Sequence, residues 1–271
     1  MDTAGLLRLY DDQLRGDVEA VGASGITRMG PLLLVSFGEG QGFVTYRDLD
    51  GADAADVRRL VAGALELFAS DPVITHVEWK TRGHDHAPGL EEALVAHGFV
   101  AGEVEWIMLG DAAALAVDVP LPDGVTLRRV HDEADVRAMS AMTDLVFDGA
   151  ISDSHAQMIL TRLATHEGMQ LWVAEAGGEI IGAGRLEPVA GTDFAGIWGG
   201  ATVESWRGRG VYRALTAARA REALALGRTL IMSDSTEHSR PILERSGLRR
   251  ASTTTPYEWR RDQPARGPDA S

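Results

Sequence analysis

Between residues 195 and 226 the hydrophobic period changes from two to about 3.6 across a turn rich in glycine and arginine, and few folds accommodate such a stretch. Ile197, Trp198, Ala201 and Val203 supply the apolar and β-branched content of a buried strand, whereas Ala214, Leu215, Ala218, Ala220 and Leu224 recur at helical spacing. Gly208 and Gly210 remove side chains where the strand turns into the helix. Unpaired amides and the positive end of the helix dipole therefore converge on one spot. Arg207, Arg209 and Arg213 surround that spot with guanidinium groups, which suit phosphate oxygens better than ammonium groups do. The segment is predicted to be an anion cradle at a strand-to-helix turn.

Two common glycine loops do not fit. No Gly-Lys-Ser/Thr follows, which excludes a P-loop, and Arg213 stands where a dinucleotide fingerprint requires its third glycine. The run resembles the pyrophosphate loop of the GNAT superfamily of N-acetyltransferases, Gln/Arg-x-x-Gly-x-Gly/Ala after a strand; Arg207 and Gly210 match, and Tyr212 replaces the last small residue. A strand at 228–233 and the run SRPILERSGLRR follow, similar to that family's closing helix, with Gly247-Leu248 in its terminal turn. The resemblance covers residues 122–262. The plain alternative is a helix-capping turn with solvated arginines.

The chain has 271 residues, 45% hydrophobic and 24% charged, with no apolar run long enough to cross a bilayer, so it belongs to the globular class and has the length of two ordinary domains. The first residues lack the basic-then-apolar layout of a signal peptide, and a cytoplasmic, non-membrane protein is expected. Absence of cysteine removes disulfides, thiolate metal sites and a cysteine-bound acyl intermediate. The net charge of −14, concentrated in the first 110 residues, argues against a nucleic-acid partner, which needs a basic face.

In chain order, residues 6–21 predict an amphipathic helix and 31–37 with 42–46 a strand pair. A helix at 53–68, a strand at 73–80, a helix at 90–99 stopped by Gly98 and a strand at 104–109 follow. His84-Asp85-His86 has metal-ligand residue types, but no further ligands accompany it and no metal is expected. Residues 111–123, with three alanines and Pro120-Leu121-Pro122, read as a linker. The next elements are a strand at 125–130, a helix at 132–147 capped by Asp132 and ended by Asp148-Gly149, and a helix at 153–166. Gly177-Gly178 predicts a hairpin between 170–176 and 179–187. A strand at 253–260 and a polar tail, predicted disordered over 263–271, close the chain.

Residues 73–109 and 228–260 share the order strand, helix, glycine turn, strand, and Glu105-Trp106 answers Glu258-Trp259. The expected architecture is α/β: tandem GNAT-like units, each a twisted, mostly antiparallel mixed sheet flanked by helices. They are expected at 1–110 (degenerate, without a CoA site) and 124–262. At the corresponding junction the first unit has Arg47-Asp48-Leu49-Asp50-Gly51, where Asp48 and Asp50 would repel phosphate.

The resemblance implies acetyl-CoA as acyl donor, a small-molecule or peptide amine as acceptor, and room for a homodimer. It places pantetheine and thioester contacts on Ala201, Thr202 and Val203, and pyrophosphate contacts on Arg207, Gly208, Arg209, Gly210, Val211, Tyr212 and Arg213. It also implies a glutamate base early in that strand and a tyrosine acid on the last helix, but those positions hold Gly196 and Leu243. The nearest replacements are Glu187 and Ser239, then Ser235 and Tyr257. Glu187 beside Pro188 also suits a solvated strand end, and Ser239 before Arg240-Pro241 suits a helix N-cap. The missing acid and base leave open a second class of function, an acetyl-CoA-binding sensor or scaffold without turnover.

Overall fold

The computed structural model describes residues 1–147 and 149–262. Its elements in chain order are α1 Thr3–Gln13, β1 Gly25–Met29, β2 Leu32–Ser36, β3 Gln41–Thr45, α2 Ala54–Ser70, β4 His76–Arg82, α3 Leu90–Ala96, β5 Val100–Ala101, β6 Glu105–Asp111 and α4 Ala112–Leu115. The second half adds β7 Val125–Val130, α5 Glu133–Phe147, α6 Asp153–Thr165, β8 Gln170–Ala176, β9 Glu179–Pro188, β10 Phe194–Thr202, α7 Val211–Ala225, β11 Leu230–Ser235, α8 Arg240–Arg245 and β12 Arg249–Arg260. No described helix is long and apolar enough to cross a membrane.

The chain divides into two compact units, and their boundaries differ from the expected ones. Residues 8–106 form an N-terminal unit together with residues 252–262; residues 107–251 form a C-terminal unit together with residues 1–7. The closing strand, assigned by chain order to the second domain, pairs antiparallel with β4 from Thr254 opposite Arg82 to Arg260 opposite His76. Strand partners are set by hydrogen-bond register and by which face is buried, neither of which follows chain order.

In the N-terminal unit the strand order is β1-β2-β3-β4-β12, antiparallel except for the parallel pair β3 and β4. Its core gathers Phe68 and Val61 from α2, Leu94 from α3, Trp79 from β4, Phe99 and Tyr257. Trp79 and Phe99 meet edge to face with centroids 6.3 Å apart, an arrangement the ring quadrupoles favour. Two local expectations fail here. The helix predicted for 6–21 stops at Gln13 and restarts as a short 3-10 turn because Gly16 takes a positive φ of 85°. Strand β1 gave no periodic signal because its side chains are almost all exposed.

In the C-terminal unit the order is β6-β11-β10-β9-β8-β7, with β7 to β10 antiparallel and β10 parallel to β11. Val136, Met139 and Met142 of α5 and Ile159 of α6 pack with Leu171, Val173 and Ala183 on one face; Val211 and Leu215 of α7 pack with Ala174 and Ile181. Asp132 caps α5 by accepting the Asp135 amide at 2.9 Å, as predicted; Asp148 lies outside the described residues, as does the predicted disordered tail 263–271. The expected linker is not free. Ala112 and Leu115 are buried, and the Ala112 amide donates to the Thr229 carbonyl at 2.8 Å, because the alanines form α4 instead of an open tether.

Truncation after Ala251 removes the part of β12 that pairs with β4 and leaves β4 as an open edge over the Trp79–Tyr257 core. Hydrogen exchange of the amides in His76–Arg82 is expected to accelerate strongly while amides of β8 and β9 keep their protection. Unchanged protection of β4 would contradict the assignment of β12.

Candidate functional site

The parallel pair β10 and β11 is in register only from Phe194–Leu230 to Gly196–Met232, although both strands continue beyond. Past that point the Ser233 hydroxyl donates to the Ile197 carbonyl at 3.0 Å, and Ser235 donates to Ser233 at 3.3 Å. On its other edge β10 follows β9 up to Trp198 and resumes at Ala201, so Gly199 and Gly200 form a bulge. A bulge re-aims backbone groups that the ladder would otherwise occupy. The strands thus part around a bulged backbone.

At the end of β10 the chain makes a short turn, Glu204–Trp206, and enters α7 through Arg207–Gly210. Gly208 and Gly210 have φ of +73° and +87°, a region that residues with a Cβ rarely adopt. Gly210 is the N-cap of α7 and no side chain caps that end, so the first-turn amides are open to an anion. Arg207 reaches back and donates to the Thr202 carbonyl at 3.1 Å. Arg209 lies over Trp206, 5.0 Å from the ring centre.

Of the three strand residues expected to hold the pantetheine arm, Ala201 and Thr202 pair with β9, and the Val203 amide donates to the Ile181 carbonyl at 3.0 Å. The Val203 N–H is therefore spent within the sheet, and the bulge just before Ala201 offers the freer backbone. Tyr212 packs its ring on Gly200, where an added Cβ would lie 2.7 Å from the ring; burial raises the phenol pKa. Beside α7 a cleft of about 190 Å³ is lined by Arg213 and Thr216, by Arg245 of α8, and by Leu115 and Val119. Arg245 was not singled out in the sequence: only the fold brings the last turn of α8 to α7.

The acid and base candidates are scattered. Glu187 pairs with Gly196 across the β9–β10 ladder. It is 5% exposed. Arg162 donates to it at 2.6 Å, and the Arg185 Nε lies 3.2 Å from its other oxygen. The solvated strand end is thus excluded, because two guanidinium groups close over the carboxylate. Burial lowers the pKa of Arg185; Glu187 opposes that shift and the charge of Arg162 adds to it. Gly196 has no room for a base: an added Cβ would stand 2.4 Å from the Trp198 indole nitrogen. Leu243 is buried on α8. Ser239 stands at the N-cap position of α8 but its side chain makes no capping bond, because its backbone is already helical; Pro241 does sit in the first turn. Ser235 is buried against Ser233, and Tyr257 belongs to the core of the N-terminal unit.

The matching turn of the N-terminal unit has opposite chemistry. Asp53 caps α2, accepting the Ala55 and Asp56 amides at 2.8 and 2.9 Å, so the helix end carries its own anion. Where β3 and β4 would part, Arg82 donates to Thr45 Oγ1 at 3.0 Å and pairs with Glu19. Arg15 donates to the Tyr46 carbonyl at 2.8 Å and grips Asp85 through two bonds. Both ring nitrogens of His84 are engaged, with Ser252 at 2.7 Å and Asp11 at 3.0 Å. A larger cleft of about 490 Å³ in this unit is lined by Asp50, Asp56 and Arg59, and Arg59 is paired to Asp56. That wall does not suit an anion.

Comparison with known proteins follows the same division. Residues 139–247 match the model of the Acetyltransferase (GNAT) family. No curated protein matches the sequence. Among solved structures, a GCN5-related N-acetyltransferase from Kribbella flavida is similar with a TM-score of 0.63 at 17% identity, covering 94% of this chain and 93% of that one. A protein of unknown function from Staphylococcus epidermidis gives 0.65 at 13% identity, covering 89% and 95%. A tandem GNAT protein from the clavulanic acid biosynthesis pathway gives 0.62 at 16% identity, covering 88% and 79%. At these identities the likeness concerns the fold.

Glu187→Gln would leave the half-buried Arg185 and the half-exposed Arg162 without their counter-charge. Stability is expected to fall by about 2 kcal/mol, the range of hydrogen bonds to charged groups. Urea unfolding with an unchanged m-value would show this, and an unchanged midpoint would mean that the pair carries no net stabilisation.

Proposed function

The chain carries a GNAT acetyltransferase domain, and from that premise we propose that it transfers an acetyl group from acetyl-CoA directly to a primary amine. The observation that carries this reading is the uncapped, glycine-entered N-terminus of α7 next to the parted strands β10 and β11. Backbone amides of Gly208–Arg213 and the side chains of Arg207 and Arg209 would meet the pyrophosphate. Arg213 and Arg245, converging on one cleft, suit the further phosphate on the ribose of CoA. The bulged backbone of β10 suits the thioester.

The chemistry is a single displacement. A neutral amine nitrogen attacks the thioester carbon, a C–N bond forms, the C–S bond breaks, and the amine proton leaves as the thiolate of CoA takes one up. No cysteine is present for a covalent acyl intermediate. Glu187 is held by two arginines and faces Gly196, so it serves the architecture, and protons pass through water.

A second reading, an acetyl-CoA sensor without turnover, is favoured by Gly196 and Leu243, which put groups that cannot titrate at both expected proton-transfer positions. Thiol release from acetyl-CoA with a panel of amines, amino acids, aminoglycosides and peptide N-termini separates the two. Release with one acceptor class is expected; tight binding without release across the panel would favour the sensor.

Three variants sharpen the enzyme reading. Gly208→Ala meets no atom but must hold a positive φ, and acetyl-CoA affinity is expected to drop about fivefold, the equivalent of roughly 1 kcal/mol of backbone strain. Arg213→Ala with Arg245→Ala is expected to abolish any preference for acetyl-CoA over its 3′-dephospho form. In Glu187→Gln, turnover is expected to fall only a few-fold; a loss of about 10² or more would identify Glu187 as a general base after all.

A further inference from the structure

Arg219 is the most unusual charge in the C-terminal unit. It is 1% exposed, in the middle of α7, and among the described residues none of its hydrogen bonds goes to a carboxylate. Its Nε donates to the Leu215 carbonyl of its own helix at 3.1 Å, and Nη2 reaches Thr216 Oγ1 at 3.3 Å. Nη1 crosses to the sheet, donating to the Arg185 carbonyl of β9 at 3.2 Å and to the Trp198 carbonyl of β10 at 3.3 Å. Space for it exists only because residue 184 is glycine: a Cβ there would lie 2.5 Å from Nη1. Burial pushes the guanidinium pKa down to about 10, which leaves it charged at neutral pH. Burying such a group is costly, and an apolar residue would pack a helix against a sheet without that cost.

The location of its contact is informative. The Ile197 carbonyl points to β11, where Ser233 donates to it. Successive carbonyls of a strand alternate in direction, so the Trp198 carbonyl points the other way, toward β9 and Arg219. No peptide bond among the described residues is cis, and across a trans peptide the following N–H points opposite to the C=O. The Gly199 amide is therefore aimed back toward the β11 side, into the gap between the parted strands. It lies in the bulge, without a partner in the β9 ladder.

We infer that Arg219 is a positioning residue which, through its hydrogen bond to the Trp198 carbonyl, aims and polarises the Gly199 amide as a donor to the thioester oxygen. A peptide whose C=O accepts from a cation donates more strongly at its N–H, since chained hydrogen bonds reinforce one another. A preorganised donor at the oxygen where negative charge develops is the most effective form of electrostatic catalysis. The buried charge thus acts behind the sheet, with Tyr212 on Gly200 and Gly184 making room for the assembly. This inference rests on the acetyl-CoA reading above.

The test uses the full chain with acetyl-CoA labelled with ¹³C at the thioester carbonyl, and no acceptor. Wild type is expected to shift the carbonyl resonance downfield on binding. In Arg219→Gln that shift should shrink, and in a separate assay with an acceptor amine identified by thiol release kcat should fall about tenfold, less than the 10² to 10³ seen when an oxyanion donor is removed outright. KM for acetyl-CoA should stay within about twofold. Arg219→Lys, which keeps the charge, should recover part of the shift. Calorimetry with CoA lacking the acetyl group reports whether each variant is folded. A full carbonyl shift in a variant that binds CoA normally would overturn the proposal. So would loss of CoA binding in both variants, because Arg219 would then act on the fold alone. Failure of wild type to bind acetyl-CoA would instead remove the cofactor reading itself.

Discussion

The parallel pair β10 and β11 holds for three residues and then separates, and most of what the C-terminal unit can do depends on that separation. A continuous ladder would have consumed the β10 backbone on both edges. Instead the Ser233 hydroxyl closes the base of the gap, a bulge at Gly199 and Gly200 loosens the strand, and the chain turns at once into the N-terminus of α7. Parted strands, loosened backbone and an uncapped helix end lie in succession over fewer than twenty residues. Packing from α7 holds them in place: Tyr212 lies on Gly200, and Arg219 ties β9 to β10 from behind.

The N-terminal unit repeats the strand scheme with different chemistry at the matching turn. It too has an antiparallel run followed by a parallel pair and a helix. Its helix end is neutralised by Asp53, and its equivalent gap is filled by the ion pairs of Arg15 and Arg82 with Asp85 and Glu19. For Arg82, burial opposes the charge, and Glu19, Tyr10 and Tyr46 together more than offset it. Such a network is stable only when its members are all present. The fold is thus used twice, once with an open backbone and once with side chains in its place.

What could be read from the amino-acid order was what local chemistry determines. The glycine-arginine turn was legible because positive φ and exposed guanidinium groups leave a compositional trace at Gly208 and Gly210. The Asp132 cap was legible for the same reason. Pairing over long separations left no such trace. Strand β12 joins β4 across more than 170 residues, and nothing in its composition distinguishes that partner from a nearer one. Glu187 looked like a strand end because Arg162, which closes over it, lies on a different element. Arg219 resembled any solvent-facing helix arginine, and only the absent side chain at Gly184 makes its burial intelligible. Strand β1 escaped notice because a strand exposed along nearly its whole length has no alternation to detect.

The central claim is that one unit of two kept the backbone geometry for acetyl-CoA while the other replaced it with bound side chains. Titration calorimetry of the full chain with acetyl-CoA measures this most directly. The account predicts a single site per chain, abolished by replacing Gly210 with valine. Two equivalent sites, or one site indifferent to Gly210, would contradict it.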